Sequence, residues 1–374
     1  MNILILSWRD PKHPLAGGAE QMVHQHSIAW KAAGHRVTLF SSRFKGSIPE
    51  ETISGIKILR KGHQYLGVQL AALFYYIKNS HSFDLVIDQF HGLSFFTPLY
   101  VRKPKLALIH ELARELWFLN ILPRPFNTIA GTIGYLFEPF IFLLYRNIHF
   151  LTVSNSTKKD LSRFGIPKKN ITVILNGVTL NSSQLRYKKD SRQTVVFLGT
   201  LTKDKGVEDA LICFDILNKR ADFKFWIIGK ADRIAYLRKL KNLSSNLQIS
   251  NKIRFWGFVS EKKKFELLAR SHLLVNPSVR EGWGLVNIEA NSVQTPVIAY
   301  KTSGLVDSVK GGYSGVICQR NNPDELANEV YSLISNKKKY QAMQKNAYLW
   351  SKNFSWEKAR IKSLRLIKKI IYET

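Results

Sequence analysis

Cysteine is scarce in this sequence, and several patterns that would point to particular functions are missing. The two cysteines, Cys213 and Cys318, lie far apart among apolar neighbours. They lack the spacing of metal ligands, so they predict buried thiols in a reducing compartment. The sequence also has no Asp-x-Asp metal motif. The first apolar run, Met1 to Ser7, is too short for a signal peptide, so we expect a cytoplasmic protein.

Acidic residues are few, since 27 aspartates and glutamates stand against 56 lysines and arginines, a formal net charge of +29. Residues 337–374 alone hold eleven basic residues against Glu357 and Glu373. A basic surface attracts nucleic acid, anionic lipid or anionic substrates, or it is merely a solvated face. We find no helix-turn-helix, zinc-finger or aromatic RNA-binding motif, so we do not expect specific nucleic-acid binding.

Long uninterrupted apolar runs are also missing. The most apolar region lies between Trp117 and Arg146, and it contains several prolines as well as Glu138. A spanning helix needs about 20 apolar residues, so we predict no transmembrane span. Two interpretations stay open for this region. It is either an interfacial amphipathic segment with basic flanks, in peripheral contact with an anionic membrane, or an ordinary core helix.

The pattern along the chain predicts two α/β domains. Its 374 residues suit about two domains of ordinary size. Short apolar runs alternate with helical patterns, which indicates parallel sheets. Strands are predicted at residues 2–7, 35–40, 85–87, 105–109, 150–153, 194–199, 224–229, 253–256, 273–276 and 296–299. The polar, aperiodic stretch from Thr179 to Arg192 is predicted to link a domain of residues 1–185 to one of residues 186–354.

Two glutamates form the strongest site candidate. Glu281 and Glu289 lie eight positions apart in the sequence Ser-Val-Arg-Glu-Gly-Trp-Gly-Leu-Val-Asn-Ile-Glu-Ala. The preceding run, residues 273–276, predicts a buried strand, and the residues after Gly284 have the apolar spacing of a helix. Glu281 is therefore predicted in a strand-to-helix turn, where open α/β sheets bind ligands and helix N–H groups bind anions.

This pattern resembles the Glu-x7-Glu signature of the GT4-type retaining glycosyltransferases, or glycosyl transferases group 1. The resemblance implies the GT-B fold, with two Rossmann-like domains whose parallel sheets face each other across an interdomain cleft. It implies that Glu281 faces the donor sugar, that Glu289 binds the ribose, and that Gly284 and Leu285 lie at the donor. It also implies that a C-terminal helix, about residues 355–374, packs back on the first domain.

Two loops resemble the phosphate-binding loops of that family. Gly17 and Gly18 precede the first predicted helix, and the family's Gly-Gly at this place lies beside the donor diphosphate. Residues 199–206 resemble the loop in which an arginine and a lysine neutralise the leaving diphosphate. Lys205 matches the lysine, whereas Thr200 replaces the arginine and brings no charge. Lys203 or Arg280 could supply the missing positive charge.

Further matches extend over most of the chain. The resemblance places His110, at the end of a predicted strand, near the reacting carbon of the donor sugar. It places the backbone of Gly257 and Phe258 near the nucleobase. The implied catalytic residues are Glu281, Lys205 and His110. The implied donor site consists of Gly17, Gly18, Thr200, Lys205, Gly257, Phe258, Glu281, Gly284, Leu285 and Glu289.

These features predict a retaining transferase that moves a sugar from a UDP- or GDP-sugar to a glycan or lipid-linked acceptor. Lysine and helix N-termini would stabilise the leaving diphosphate, so neither a metal nor a cofactor is expected. The expected setting is polysaccharide or glycolipid synthesis for the cell envelope, at the cytoplasmic membrane face. Two alternatives remain. One is a nucleotide-sugar epimerase, and the other is a non-catalytic nucleotide-sugar-binding subunit, which the threonine at position 200 would favour.

Overall fold

The structure is a computed structural model that describes residues 1–64, 66–90, 93–119, 122–179 and 187–372. It divides into two compact units. Unit 1 comprises Met1–Asn176 together with Trp356–Thr374, and unit 2 comprises Gly177–Ser355. The boundary predicted between residues 185 and 186 lies outside the described residues.

Unit 1 contains an eight-stranded sheet in the order β3-β4-β2-β1-β5-β6-β7-β8. The strands are β1 Asn2–Leu6, β2 Arg36–Ser41, β3 Glu50–Ile53, β4 Ile56–Arg60, β5 Leu85–Phe90, β6 Lys105–Ile109, β7 His149–Thr152 and β8 Ile171–Val173. All neighbours are parallel except β3 and β4, which form an antiparallel hairpin at the edge. The sequence pattern predicts neither strand of this hairpin, in which β3 turns back through Ser54 and Gly55 and pairs with the next strand along the chain.

The helices of unit 1 include one that comes from the far end of the chain. They are α1 Gly18–Ala32, α2 Leu66–Asn79, α3 Phe126–Leu144, α4 Asn155–Arg163 and α12 Trp356–Tyr372. The helix α12 packs on α1, and Arg360 of α12 donates a hydrogen bond to Gln25 of α1. The sheet itself is fully buried at β1, where residues 3–6 have no exposed surface. This is typical of a parallel sheet that is covered on both faces.

Unit 2 contains a parallel six-stranded sheet in the order β11-β10-β9-β12-β13-β14. Its strands are β9 Gln193–Leu198, β10 Phe223–Ile228, β11 Ile253–Gly257, β12 Leu273–Asn276, β13 Val297–Ala299 and β14 Gly315–Ile317. Its helices are α5 Val207–Asn218, α6 Ile234–Asn246, α7 Glu261–Arg270, α8 Leu285–Ser292, α9 Leu305–Ser308, α10 Pro323–Ser335 and α11 Lys337–Ser351. Each unit is therefore an open α/β sheet with crossover helices, as the sequence predicts.

One prediction about the apolar region needs correction. The region expected to be interrupted at Glu138 and Pro139 is one continuous helix, α3, of 19 residues with Pro139 inside it. The predicted linker lies partly outside the described residues, and near its end Asp190 forms ion pairs with Lys224 and Arg270 of unit 2 at 2.9 and 3.2 Å.

Candidate functional site

The strand order of unit 2 defines where a ligand would bind. From β9 the chain moves outward to β10 and β11 on one side, and then to β12, β13 and β14 on the other. The crossover direction therefore reverses between β9 and β12. In open α/β sheets the crevice at the carboxyl ends of such a strand pair is the usual ligand site. Lys205 follows β9 and Glu281 follows β12, so both lie at this reversal point.

Lys205 and Glu281 form an ion pair there. The Nζ atom of Lys205 lies 3.0 Å from Oε1 of Glu281, and both side chains are about four-fifths buried, with 22% and 18% of their surface exposed. The two loops are joined by a backbone hydrogen bond from Val279 N–H to the Asp204 carbonyl, 2.8 Å long. The backbone therefore brings the two predicted catalytic side chains of unit 2 together.

A glycine makes this close approach possible. Gly206 has a φ of +70°, and a Cβ atom there would lie 2.1 Å from the carbonyl oxygen of Pro277. Any other residue would clash with the chain that leads from β12 to Glu281. Gly206 thus sets the spacing between the Lys205 loop and the Glu281 loop.

A series of hydrogen bonds between buried polar side chains holds Glu281 in place. Ser278 Oγ lies 3.0 Å from Glu281 Oε1 and 2.7 Å from Asn276 Oδ1. The amide of Asn276 donates to Asn287 Oδ1 at 2.9 Å, and the amide of Asn287 donates to Ser308 Oγ at 2.9 Å. These residues are buried, so their hydrogen bonds restrict the orientation of the Glu281 side chain.

Glu289 occupies a different environment. It is buried on α8, and its Oε1 atom accepts from Lys264 of α7 at 2.7 Å. Burial raises the pKa of Glu289, and the charge of Lys264 offsets part of that rise. The predicted role in ribose binding would require this carboxylate to accept hydroxyl hydrogen bonds while it remains paired with Lys264.

Two helices begin beside the ion pair. Gly206 precedes α5 and Gly284 precedes α8. An N–H group at the very start of a helix, such as that of Leu285, has no partner within the helix and can donate to an anion. Gly284 has a φ of +78°, and a Cβ there would lie 2.8 Å from the Asn287 amide. This end of α8 is therefore a place where a phosphate group could bind.

The remaining predicted residues of unit 2 lie at neighbouring strand ends. Thr200 is half-buried after β9, and its carbonyl accepts from Thr202 N–H at 3.0 Å. Gly257 ends the edge strand β11, and its carbonyl accepts from Gly229 N–H at 2.9 Å. Phe258 is 84% exposed. All three residues lie at the carboxyl ends of strands, at one edge of the sheet.

The other predicted residues belong to unit 1. Gly17 and Gly18 are exposed at the start of α1, but the N–H of Gly17 already donates to Glu20 Oε2 at 2.7 Å. One of the two amides expected at the diphosphate is thus used to cap the helix. His110 is half-buried at the end of β6, and its carbonyl accepts from Thr157 Oγ1 at 2.8 Å.

Sequence reasoning overlooked several residues that contact the predicted glutamates or their support. They include Asn276, Ser278, Lys264 and Asn287. Polar residues at the end of the apolar strand β12 could have indicated the first two. No sequence signal indicates Lys264, since it lies 25 positions before Glu289 on another helix.

Two family models match this chain. The model described as glycosyl transferases group 1 matches residues 182–350, and the model described as glycosyltransferase family 4 matches residues 16–182. Together the matches run without a gap from residue 16 to residue 350. The chain belongs to the GT4-type glycosyltransferases. The motif of Glu281 and Glu289 lies within the group 1 match.

Curated relatives of this glycosyltransferase-family chain are moderately similar in sequence. An uncharacterised glycosyltransferase of Methanocaldococcus jannaschii is 32% identical over 191 residues, which cover 51% of each chain. A second from the same organism is 29% identical, so the chain spans about half the length of these two relatives. Glycogen synthase of Mycobacterium tuberculosis is 25% identical over 89% of this chain and 86% of its own length.

Solved structures agree on the fold. Sucrose-phosphate synthase from Thermosynechococcus elongatus has a TM-score of 0.84 at 18% identity, with full coverage of both chains. Anabaena HepE in complex with UDP-glucose has a TM-score of 0.75 at 17% identity and covers 99% of this chain and 100% of its own. These likenesses show the GT-B fold.

Proposed function

We propose that this protein transfers a sugar from a nucleoside diphosphate sugar to a glycan or lipid-linked acceptor, with retention at the anomeric carbon. The observation that carries the proposal is the Lys205–Glu281 pair at the reversal point of the unit 2 sheet. A cation and a carboxylate in one ligand crevice suit the two ends of such a donor, because its diphosphate is anionic and its sugar offers hydroxyl groups.

Lys205 would hold the diphosphate as it leaves. In the free protein its charge is balanced by Glu281 at 3.0 Å and by Asp204 at 3.5 Å. A bound diphosphate would compete for the ammonium group and release Glu281 to accept sugar hydroxyls. The N–H groups at the start of α8 add a fixed positive potential. Groups arranged before the reaction in this way stabilise developing charge effectively.

This arrangement supports two finer parts of the proposal. The departing phosphate would take the proton of the acceptor hydroxyl on the face from which it leaves, which gives retention without a strong protein base. Lysine and helix N–H groups would supply the positive charge at the diphosphate, so we propose that the reaction proceeds without a metal or a cofactor.

The donor and the acceptor are proposed at the level of class. The donor would be UDP- or GDP-linked, and the UDP-glucose complex of HepE is consistent with the first. A lipid-linked acceptor of cell-envelope polysaccharide or glycolipid synthesis is supported by the apolar surface of α3. The enzyme would then work at the cytoplasmic face of the membrane, as a peripheral protein.

Donor hydrolysis tests the proposal without knowledge of the acceptor. A panel of UDP- and GDP-sugars is incubated with the protein and a metal chelator, and the released nucleotide and the sugar anomer are followed by NMR. We expect slow hydrolysis of one donor with retention. Lys205→Ala and Glu281→Gln should each lower the rate about 100-fold or more. The control is Lys239→Ala, which removes an exposed ion pair of similar length, Lys239–Glu208 at 2.9 Å.

The outcomes separate the alternatives. Conversion of the donor sugar to its epimer in the absence of acceptor would establish an epimerase instead. Donor binding without turnover above background, whether or not a glycan or lipid acceptor is added, would establish a binding subunit. Loss of hydrolysis on addition of the chelator would overturn the metal-free part of the proposal.

A further inference from the structure

The helix α3 leaves most of its apolar surface uncovered. Large apolar side chains recur at the spacing of one helix face, and each is more than half exposed. These residues, which we term the α3 face, are Phe126, Ile129, Ile133, Leu136, Phe137, Phe140 and Leu143. By length and composition α3 could cross a membrane. A contiguous exposed apolar surface of this kind marks an interaction site.

The opposite side of α3 is built into unit 1. The side chains of Trp117 and Phe118 lie so close to Gly134 and Gly131 that a Cβ at either glycine would meet them at 2.4 and 2.7 Å. Glu138 is buried and accepts from the N–H groups of Ala113 and Arg114 at 2.6 and 2.8 Å.

This packing decides how α3 can meet a bilayer. A spanning helix would have to leave unit 1 and carry the Glu138 carboxylate into hydrocarbon, without the N–H groups that satisfy it. A helix that lies in the interface keeps all these contacts and inserts the α3 face alone.

Basic residues lie near the C-terminal end of α3. Arg146, Arg163, Lys168 and Lys169 are exposed, and we term them the basic cluster. Two contacts place their segment beside this end of the helix: the ring of Phe164 lies 5.4 Å from that of the buried Phe142 on α3, and Asn170 donates to the Arg146 carbonyl at 3.3 Å. Residues 116–172 hold seven lysines and arginines but only two acidic residues, the buried Glu138 and Asp160, which pairs with Arg163.

We propose that the α3 face inserts into the interface of an anionic lipid leaflet, with the basic cluster on the headgroups. Charge selects this occupant, because an apolar face beside cations complements anionic lipid. A second copy of the chain would bring two basic clusters together, each on a protein of net charge +29. This membrane-binding proposal depends on the proposed function in one respect only. The transfer reaction gives the α3 face its purpose, which is to bring the enzyme to a lipid-linked acceptor.

Vesicle sedimentation tests the proposal with the full chain and without donor or acceptor. Vesicles of phosphatidylcholine alone are compared with vesicles that also contain phosphatidylglycerol. We expect binding to the anionic vesicles that weakens as salt is raised. The variant Phe137→Ser/Phe140→Ser should lower the affinity at least tenfold. The matched control is Leu70→Ser/Phe74→Ser, since these side chains of α2 are equally exposed, at 57% and 69%, but lie outside the α3 face.

A second pair of variants tests the charge. Lys168→Ala/Lys169→Ala should weaken binding to anionic vesicles about fivefold for each lysine removed, the equivalent of about 1 kcal/mol each. Lys337→Ala/Lys338→Ala removes two adjacent exposed lysines from unit 2 and should leave binding unchanged.

Three results would overturn the proposal. The first is equal binding by the α3 and α2 variants. The second is protein that stays with the vesicles after an alkaline carbonate wash, which would indicate a spanning helix. The third is a concentration-dependent dimer that the α3 variant abolishes while no vesicle type binds. Donor hydrolysis measured on the same preparations keeps a failure here distinct from a failure of the proposed transfer reaction.

Discussion

At the scale of single residues, Asn287 should matter to the reaction although we do not place it against the donor. It joins Asn276 to Ser308 and so supports Ser278 and Glu281. We expect Asn287→Ala to lower kcat on the order of 10-fold with little change in KM, because Glu281 loses its fixed orientation. Steady-state kinetics with the donor that the hydrolysis panel selects provide the measurement.

The same helix offers a matched control for this prediction. Asn291 is also buried on α8, and its amide donates to the carbonyls of Thr295 and Ser314 at 3.2 and 3.1 Å. Asn287→Ala and Asn291→Ala should each cost roughly 1–3 kcal/mol of stability, because each leaves buried groups without partners. In the protein that remains folded, Asn291→Ala should leave kcat unchanged. Equal losses of kcat in both variants would mean that Asn287 acts only through stability.

Lys189 predicts an unusual pH dependence of stability. Its ammonium donates to the Ser271 carbonyl and to Thr295 Oγ1 at 2.6 and 2.8 Å, and burial lowers its pKa to about 7 from 10.5. Between these values the unfolded chain holds a proton that the folded chain releases. The stability of unit 2 should therefore rise with pH through this window, by at most about 1.4 kcal/mol per pH unit. Below pH 7 the dependence on this group ends.

Urea unfolding at several pH values checks this sign. The variant Lys189→Met lacks this titrating group, so its free energy of unfolding has no contribution from it that changes with pH. The free energy of unfolding of the native protein, relative to that of the variant, should therefore increase from pH 7 to pH 10. Lys219→Met is the control, since Lys219 is 71% exposed. A difference between native protein and Lys189→Met that stays flat over this range would show that the lysine remains charged when folded.

The candidate site shows which functional residues can be predicted from the sequence and which cannot. Glu281 and Lys205 are predictable because each follows an apolar strand and glycines mark both turns. Their contact is predictable only once the sheet order places β9 beside β12. The partner Lys264 of Glu289 could not be assigned, because an ion pair between two helices leaves no distinctive spacing. Glu20 has the spacing of a helix cap, three positions after Gly17, but glycine lacks the hydroxyl that marks the usual capping box.

At the scale of elements, Gly206 should be essential to the approach of two loops, whereas Gly257 should not. Both have positive φ, at +70° and +64°. A Cβ at Gly257 would meet nothing within 4 Å, while one at Gly206 would meet the Pro277 carbonyl at 2.1 Å. Gly257→Ala should therefore cost only the roughly 1–2 kcal/mol of a left-handed alanine. Gly206→Ala should cost more and should also reduce turnover.

Unfolding midpoints and donor turnover measured on both variants distinguish backbone strain from the clash. If Gly206→Ala and Gly257→Ala lower the stability by the same amount, the loops after β9 and β12 must move apart without a loss of stability. The assignment of Gly206 as the spacer between them would then be wrong.

Elements also show where pattern reasoning succeeds. The sequence predicts β6 and β12 with the bounds that the structure has, because each is a short apolar run with buried residues on both faces. The β3–β4 hairpin is not predicted from the sequence pattern, because β3 is short, polar and at an edge of the sheet. The helix α3 continues through Pro139 because packing on its glycine face outweighs the loss of one backbone hydrogen bond.

At the scale of the whole molecule, the two units should differ in their dependence on the chain ends. Unit 2 is one continuous segment, whereas unit 1 needs α12 from the end of the sequence. The helix α12 buries four large apolar side chains, Trp356, Leu366, Ile367 and Ile370. Each contributes roughly 1.5–3 kcal/mol when buried. Their sum is comparable to the total stability of a domain, about 5–15 kcal/mol.

A chain that ends at Ser355 should therefore lose the fold of unit 1 while unit 2 stays folded. Hydrogen exchange followed by mass spectrometry reports on each unit separately, and we expect protection to vanish in β1 and β5 but to persist in β9 and β12. The rescue variant joins residues 1–176 to residues 355–374 by a short glycine-serine linker. This linker is feasible because Val178 N–H donates to the Phe354 carbonyl at 3.2 Å, so the first and last residues of unit 2 lie close to each other. Cooperative unfolding of residues 1–176 without α12 would contradict the argument, because burial on α1 would then not be needed to hold the unit 1 sheet.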